Sequence, residues 1–314
     1  MSLTGEVGTV YSIQYATGLS STNQWVDRTL LQAQGASNLW TDPSAPTPGQ
    51  RFYRAVSVPA PADTNLVFIQ PGTFMMGSPT NEAEGAGETQ HTVTISRGFW
   101  MGKYLVTQGD YFAVVGSNPS YFTSANGYSD DLTRPVERVS WFDATNYCAM
   151  RTQQERAGGL IPTNYVYRLP TESEWEYADR AGTTTAFYLG SGLHSGQGNF
   201  DGRYEYEASV GTISNSSGIY LGQTTAVGSY AANGWGLYDM IGNVSEWCQD
   251  WYGEYPAGSV TDPQGAATGR IRVVRGGRWL GFAGGCRSAN RNGSFPDGGI
   301  NFLGFRVVLA PGQP

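Results

Sequence analysis

Residues 269–310 read GRIRVVRGGRWLGFAGGCRSANRNGSFPDGGINFLGFRVVLA. The β-branched run from Ile271 to Val274 enters a Gly276-Gly277 turn, and Phe305-Arg306-Val307-Val308-Leu309 closes the stretch with a second strand signal. Between them lies a segment rich in glycine, asparagine and aromatic residues, with no helical or strand period. Loops of that length are uncommon in compact domains unless they carry function. Any fold open to this chain must hold a long irregular loop in place. We read the loop as a binding surface and the rest of the chain as its support.

The 314 residues do not limit core size. A net charge of −7 argues against a general binder of nucleic acids or anionic membranes, because nothing supplies a long-range positive field. Lys103 is the only lysine, and the other basic residues are arginines, which pair with carboxylates in a planar fork and stack on aromatics. With 19 Tyr and 9 Trp in the chain, many arginine–carboxylate and arginine–aromatic contacts are expected in a loop-rich interior. His91 and His194 are the only histidines, so zinc, haem and non-haem iron would lack their usual ligands, and no Ser-His-Asp or Cys-His set is evident. Cys148, Cys248 and Cys286 form no metal pattern and no disulfide framework; at least two are expected to be buried small hydrophobes. No apolar run approaches a membrane span and no signal peptide is visible. Met1-Ser2-Leu3 reads as an added leader, so a native targeting segment is expected to be missing, and a cell-surface or secreted setting is expected.

In chain order, Thr9–Tyr15 and Arg51–Val56 alternate as strands across turn-rich segments, including Asp42-Pro43-Ser44-Ala45-Pro46. Residues 1–60 are expected to form a small all-β module, similar to fibronectin- or immunoglobulin-like units and docked on the main domain because its own core is marginal. A Pro59-Ala60-Pro61-Ala62 linker precedes a second domain over residues 64–314. Leu66–Ile69 and Thr73–Met76 flank Pro71-Gly72, predicting a hairpin; an acidic loop from Asn81 to Glu88 and a strand His91–Ile95 follow. Helices are predicted after three N-cap residues: Thr107, Ser140 with Asp143, and Thr171 with Glu174 in a capping box, the last helix ending at Gly182. From Gly182 to Gly234 the composition predicts long surface loops.

Six motifs then follow one another in order: Pro71-Gly72-Thr73-Phe74-Met75-Met76-Gly77; Arg134-Pro135-Val136 with Val139-Ser140-Trp141; the run from Tyr167 to Ala178; the run from Gly236 to Trp247; Arg275-Gly276-Gly277; and Leu303-Gly304-Phe305-Arg306. Together they resemble the formylglycine-generating enzyme (sulfatase-modifying factor) domain over about residues 64–310. The resemblance implies an α+β, loop-rich, elaborated C-type-lectin-like fold. It also implies a comparison with a copper-dependent oxidase that converts a substrate cysteine to formylglycine, its copper held between two cysteines beyond the Arg-Gly-Gly turn. Here Arg278 stands where the enzymes carry serine and Gly281 stands at the first cysteine position. Cys286 falls at the second position when counted forward from the turn, and elsewhere when counted back from Leu303. A linear bis-thiolate Cu(I) site needs both soft ligands, so copper and oxidase activity are not expected. Glu172, Glu174 and Glu176 suit structural pairing with arginine better than acid–base work.

A narrower resemblance is carried by Arg275-Gly276-Gly277-x-Trp279, Cys286 to Asn292, Pro296-Asp297 and Gly304-Phe305-Arg306. This pattern is similar to the variable region of diversity-generating retroelement target proteins, where template adenines are replaced at random. It implies variable positions at Leu280, Gly281, Phe282, Gly285, Gly293, Ser294, Phe295, Gly298, Ile300 and Phe302. Each residue there is reachable from an AAC codon by changing adenines alone. Trp279, Arg287, Asn290, Arg291 and Asn292 are expected as the fixed scaffold, with the arginines and asparagines bonding the loop backbone.

Exposed Leu280, Phe282, Phe295, Ile300 and Phe302 would form an apolar patch suited to a protein ligand or surface receptor; the alternative is that they pack inward. A glycan-binding lectin and a family oxidase are the rival functions. The family resemblance further implies a structural calcium ion at Asp239 and Glu246 with the carbonyls of Gly242 and Val244, oxygen donors suited to a hard cation. The same carboxylates could instead serve as arginine partners.

Overall fold

The computed structural model describes the chain except residues 20–23, 43, 46–48, 81, 83–86, 208–210, 215 and 313–314. Parts of the predicted Asp42–Pro46 turn and of the acidic loop at 81–88 therefore lie outside the described residues.

The N-terminal segment forms a three-stranded antiparallel sheet, with Val10–Ala16 between Val26–Gln32 and Phe52–Val58. Its buried face does not close on itself. Val10 and Leu30 join the same hydrophobic cluster as Trp100 and Tyr165 of the main domain. Gln32 and Gln70 exchange hydrogen bonds across the junction, at 3.2 and 2.8 Å. Gly98 lets the two segments approach, since a Cβ there would sit 2.6 Å from the Leu30 carbonyl oxygen.

The main domain is built on a four-stranded antiparallel sheet in the order Tyr165–Arg168, Val308–Pro311, Phe99–Gly102, Leu66–Ile69. The C-terminal strand is thus internal to this sheet. A second sheet orders Asn292–Ser294, Arg272–Arg275, Ser245–Trp251 and Leu303–Gly304, the last pair parallel. A third pairs Gly72–Met76 with His91–Ile95. The two strands expected to flank the closing loop consequently belong to different sheets, and the loop bridges them. The predicted Pro71-Gly72 hairpin does not form: Leu66–Ile69 pairs with Phe99–Gly102, and Gly72 turns the chain into the next sheet. Close packing directs that crossing, because a Cβ on Gly72 would meet the Tyr177 hydroxyl.

Three α-helices lie among the described residues, each started at a predicted N-cap residue; the capping box expected at Thr171 is present, and Thr107 and Ser140 carry one too. They are α1, Gln108–Val115, capped by Thr107 with Asp110; α2, Trp141–Ala157, capped by Ser140 with Asp143; and α3, Glu172–Arg180, capped by Thr171 with Glu174. In each, the cap hydroxyl accepts from the N3 amide and the N3 carboxylate accepts from the cap amide. Helix α3 ends one residue before the predicted glycine, on Ala181 in the left-handed region with φ 45°. Every residue of α3 is buried, carboxylates included, so it serves as an ionic hub rather than an amphipathic cover.

The span read as surface loops is more ordered than expected. It holds a small sheet of Gly192–Leu193, Tyr204–Glu207 and Gly211–Ser214, and a separate core of Phe187, Leu193, Phe200, Tyr206 and Ile241 that also takes in Cys286. Apolar residues spaced too widely to show a period converge here only in three dimensions.

Candidate functional site: the closing loop

The loop is anchored from beneath by arginines. Arg275, at the end of its strand, packs against α3, donating to Glu176 and to the carbonyls of Ala289 and Asn290. Burial works against ionisation of Glu176, yet the charges of Arg180 and Arg275 hold its carboxyl below the usual range. Arg287 reaches Glu88 with two nitrogens, at 2.7 and 2.9 Å, and Glu82 at 2.7 Å. Arg291 forks onto Glu172, and Arg306, just past the loop, forks onto Glu246. Arg287 and Arg291 thus pair with carboxylates of distant segments, and Arg291 also donates to the Gly253 carbonyl at 2.8 Å. Arg275 is the residue that grips loop carbonyls, and sequence reasoning missed it. Asn290 offers its carbonyl to Arg275 and its side-chain oxygen to Asn292 at 3.3 Å, while Asn292 itself is exposed.

At the loop entrance, Gly276 and Gly277 both take left-handed backbone, φ 90° and 76°. Cys286 closes under this turn: a Cβ on Gly277 would sit 2.2 Å from its sulfur. All three cysteines are buried and free, and burial pushes the Cys286 thiol up to about 12. Trp279 is buried, donating its backbone N–H to Asn243 and its indole N–H to the Asn301 carbonyl at 3.0 Å, so it ties the loop's two ends together.

Above this layer the apolar residues divide. Phe282, Phe295 and Ile300 are 52, 56 and 40 % exposed. Leu280 and Phe302 are half-buried, and Phe302 packs on the main core. Ser294, Gly281, Gly285 and Gly298 are half-buried and Gly293 is exposed. Residues outside the loop complete the face: Tyr204 makes an edge contact with Phe282 at 5.7 Å, and Tyr220 stacks near Trp279 at 6.2 Å. Neither tyrosine carried a sequence signal, because both come from the span read as featureless.

The glycines of the loop separate by conformation. Gly281, Gly285, Gly293 and Gly298 all lie outside the left-handed region. A Cβ would meet open space at Gly285; at Gly281 it would lie 3.3 Å from the Arg278 side chain and 3.5 Å from its carbonyl oxygen, and at Gly293 it would lie 2.5 Å from the end of the Ile271 side chain, which would have to swing aside. Gly298 is tightest, 3.1 Å from the Phe295 carbonyl oxygen. By contrast, a Cβ on Gly299 or Gly304 would press to 2.7 or 2.6 Å on the backbone oxygens of Arg138 or Val136. Those two, with Gly276 and Gly277, are glycines by necessity.

Of the expected calcium donors, Glu246 has both oxygens on Arg306, at 2.6 and 2.8 Å. Asp239 accepts from the Gly228 amide at 2.7 Å, and burial raises its carboxyl above the usual range. Gly242 and Val244 are buried beside it. The set thus offers one carboxylate not claimed by arginine. No group of three or more His, Cys, Asp or Glu suited to a metal occurs among the described residues.

Residues 54–311 match the Sulfatase-modifying factor enzyme 1-like domain. The chain belongs to that family. As a sulfatase-modifying-factor-type domain it has the expected α+β, loop-rich C-type-lectin-like architecture. Among curated relatives, the serine/threonine-protein kinase pkn1 of Chlamydia caviae is 30 % identical over 80 % of this chain and 38 % of its own length. The formylglycine-generating enzyme of Streptomyces coelicolor is 36 % identical over 60 % of this chain and 58 % of its own. The chain therefore spans well under half of that chlamydial relative. Among solved structures, Treponema denticola variable protein 1 superposes with a TM-score of 0.61 at 28 % identity, covering 77 % of this chain and 94 % of that one. The likeness to a variable protein, read first from the closing loop, is thus matched by a structural neighbour of the sulfatase-modifying-factor-type domain. No helix among the described residues is long and apolar enough to cross a membrane.

Proposed function

We propose that this domain is a non-catalytic ligand-binding protein that displays a diversified loop face on a rigid scaffold. The observation that carries the reading is the split among glycines. None of the four at inferred variable positions takes a left-handed backbone or would bring a Cβ within 3.0 Å of backbone atoms, whereas Gly276, Gly277 and Gly304, at positions inferred as fixed, either take a left-handed backbone or press on backbone. A loop selected only for its own shape has no reason to divide its glycines this way. Preorganisation is the second support: the buried arginine pairs hold the backbone, so binding need not order it.

The oxidase reading is disfavoured by the same geometry. Gly281 offers no sulfur, and Cys286 is a fully buried thiol raised to about 12, the opposite of the exposed thiolate a copper ion or substrate needs. Calcium stays a proposal, with Asp239 and the carbonyls of Gly242 and Val244 as the donors that would hold it.

The test replaces Phe282, Phe295 and Ile300 together by serine. Display on a tolerant face predicts that melting changes little, at about 0.5 kcal/mol or less per position. A cooperative loss of several kcal/mol would make these side chains part of a core and sink the proposal. Reading the gene supplies an independent check, since codons at the ten variable positions should end in C. Turnover of a sulfatase-type cysteine peptide with added copper would reinstate the enzyme.

A further inference from the structure

Arg278 differs from the arginines beneath it. Every other arginine that is not exposed has an oxygen acceptor: carboxylates for Arg28, Arg51, Arg151, Arg168, Arg180, Arg275, Arg287, Arg291 and Arg306, and carbonyls for Arg134, Arg156 and Arg272. Arg278 is half-buried, yet among the described residues its guanidinium meets no carboxylate, carbonyl or hydroxyl, and its Nε is buried without a partner. Its guanidinium carbon lies over the Phe302 ring, 4.5 Å from the centroid. It follows the Gly-Gly turn directly and lies under Gly281, within the inferred face and next to Trp279.

An unpaired cation held partly out of water is costly unless something completes it. In a chain where nine of the arginines that are not exposed are matched to carboxylates, the missing partner is conspicuous by position. Phe302 backs the guanidinium from one side, and a planar fork suits a carboxylate presented end-on.

Resting on the binding reading above, we propose that Arg278 is the anchor of the face and that it recognises a protein partner presenting an Asp or Glu carboxylate among apolar side chains. Arg278 sits between the Gly276-Gly277 turn and Trp279, outside the ten inferred variable positions, so an anionic feature would be read by Arg278 and the surrounding identity by the variable positions.

A random-peptide display library panned against the full chain tests the proposal. Enriched peptides are expected to share an acidic residue flanked by apolar ones. Exchanging that acid for its amide, or Arg278→Gln in the protein, should each weaken binding by about tenfold or more, while Arg97→Gln leaves it unchanged. Arg278→Gln is also expected to melt at or above the parent temperature, since it removes an unmatched cation; a fall of several degrees would make Arg278 structural and overturn the proposal. Peptides that need Phe282 but neither an acid nor Arg278 would retain the binding face and refute its anchor. Peptides indifferent to both, or no enrichment, would remove the binding reading as well. Arg278-dependent binding of N-acetylneuraminic acid without acidic peptides would assign the carboxylate to a sugar and overturn the protein partner.

Discussion

Arg291 meets Glu172 side-on, with Nε 2.8 Å from one carboxylate oxygen and a terminal nitrogen 2.7 Å from the other, while the Tyr255 ring lies 3.9 Å from the guanidinium carbon. One residue belongs to the closing loop and the other starts α3, so this contact fixes the loop to the helix that carries the domain's ionic hub.

Cutting that contact should be expensive. Arg291→Gln leaves Glu172 buried with one partner fewer, at a cost of about 3–5 kcal/mol. Arg291→Gln and Glu172→Gln should be strongly non-additive, because each already abolishes the shared pair. Denaturant unfolding of both single variants and the double variant measures this; additive losses would show that the pair is not a unit.

The glycines give a sharper contrast. Gly285→Ser is expected to leave stability unchanged, its side chain entering open space. Gly299→Ala should lose more than about 1 kcal/mol through backbone overlap, although alanine is the smaller change. Thermal melting of the two purified variants compares them directly; equal effects would contradict the division of loop glycines.

Calcium, if bound through Asp239, should raise the melting temperature, and chelation should reverse the rise. At a hundredfold excess over its dissociation constant a ligand stabilises by about 2.7 kcal/mol. Asp239→Asn should abolish the response. A calcium response that survives this substitution would place the ion elsewhere.

Stability should fall as pH rises from about 5 to 8. Burial, reinforced by the charge of Glu172, lifts Asp250 to about 8, and burial lifts Asp179 and Glu137 each to about 7. Their unfolded counterparts ionise near 4, so across this window the native state binds more protons than the unfolded state and loses stability with rising pH. Below pH 4 both states are protonated and these groups contribute their full stability. Asp250→Asn should flatten the profile of melting temperature against pH; an unchanged slope would mean that Asp250 is already ionised in the native protein.

The helix starts were legible because a capping box is written within four residues, as Ser140 with Asp143 shows. Sheet pairing was not. Phe99–Gly102 takes Leu66–Ile69 on one side and Val308–Pro311 on the other, partners separated by most of the chain, and the Pro71-Gly72 turn signal is the same for a hairpin as for a crossover between sheets. Within the site, the loop announced itself by length and Trp279 by its place after the turn. The roles of Arg275 and Arg278 could not be read in advance. Both are arginines beside the same two glycines, and only their surroundings distinguish one that donates to Glu176 and two loop carbonyls from one that has no oxygen acceptor among the described residues.

The internal position of Val308–Pro311 has a bearing on how such a loop could be altered safely. The strand that completes the central sheet is translated after every residue of the loop. A chain broken off within the loop, or one whose new loop cannot deliver that strand between Tyr165–Arg168 and Phe99–Gly102, is left with two raw sheet edges. Such products are prone to aggregation and proteolysis, so the topology itself acts as an inspector: only molecules with a finished, compatible loop reach the folded pool.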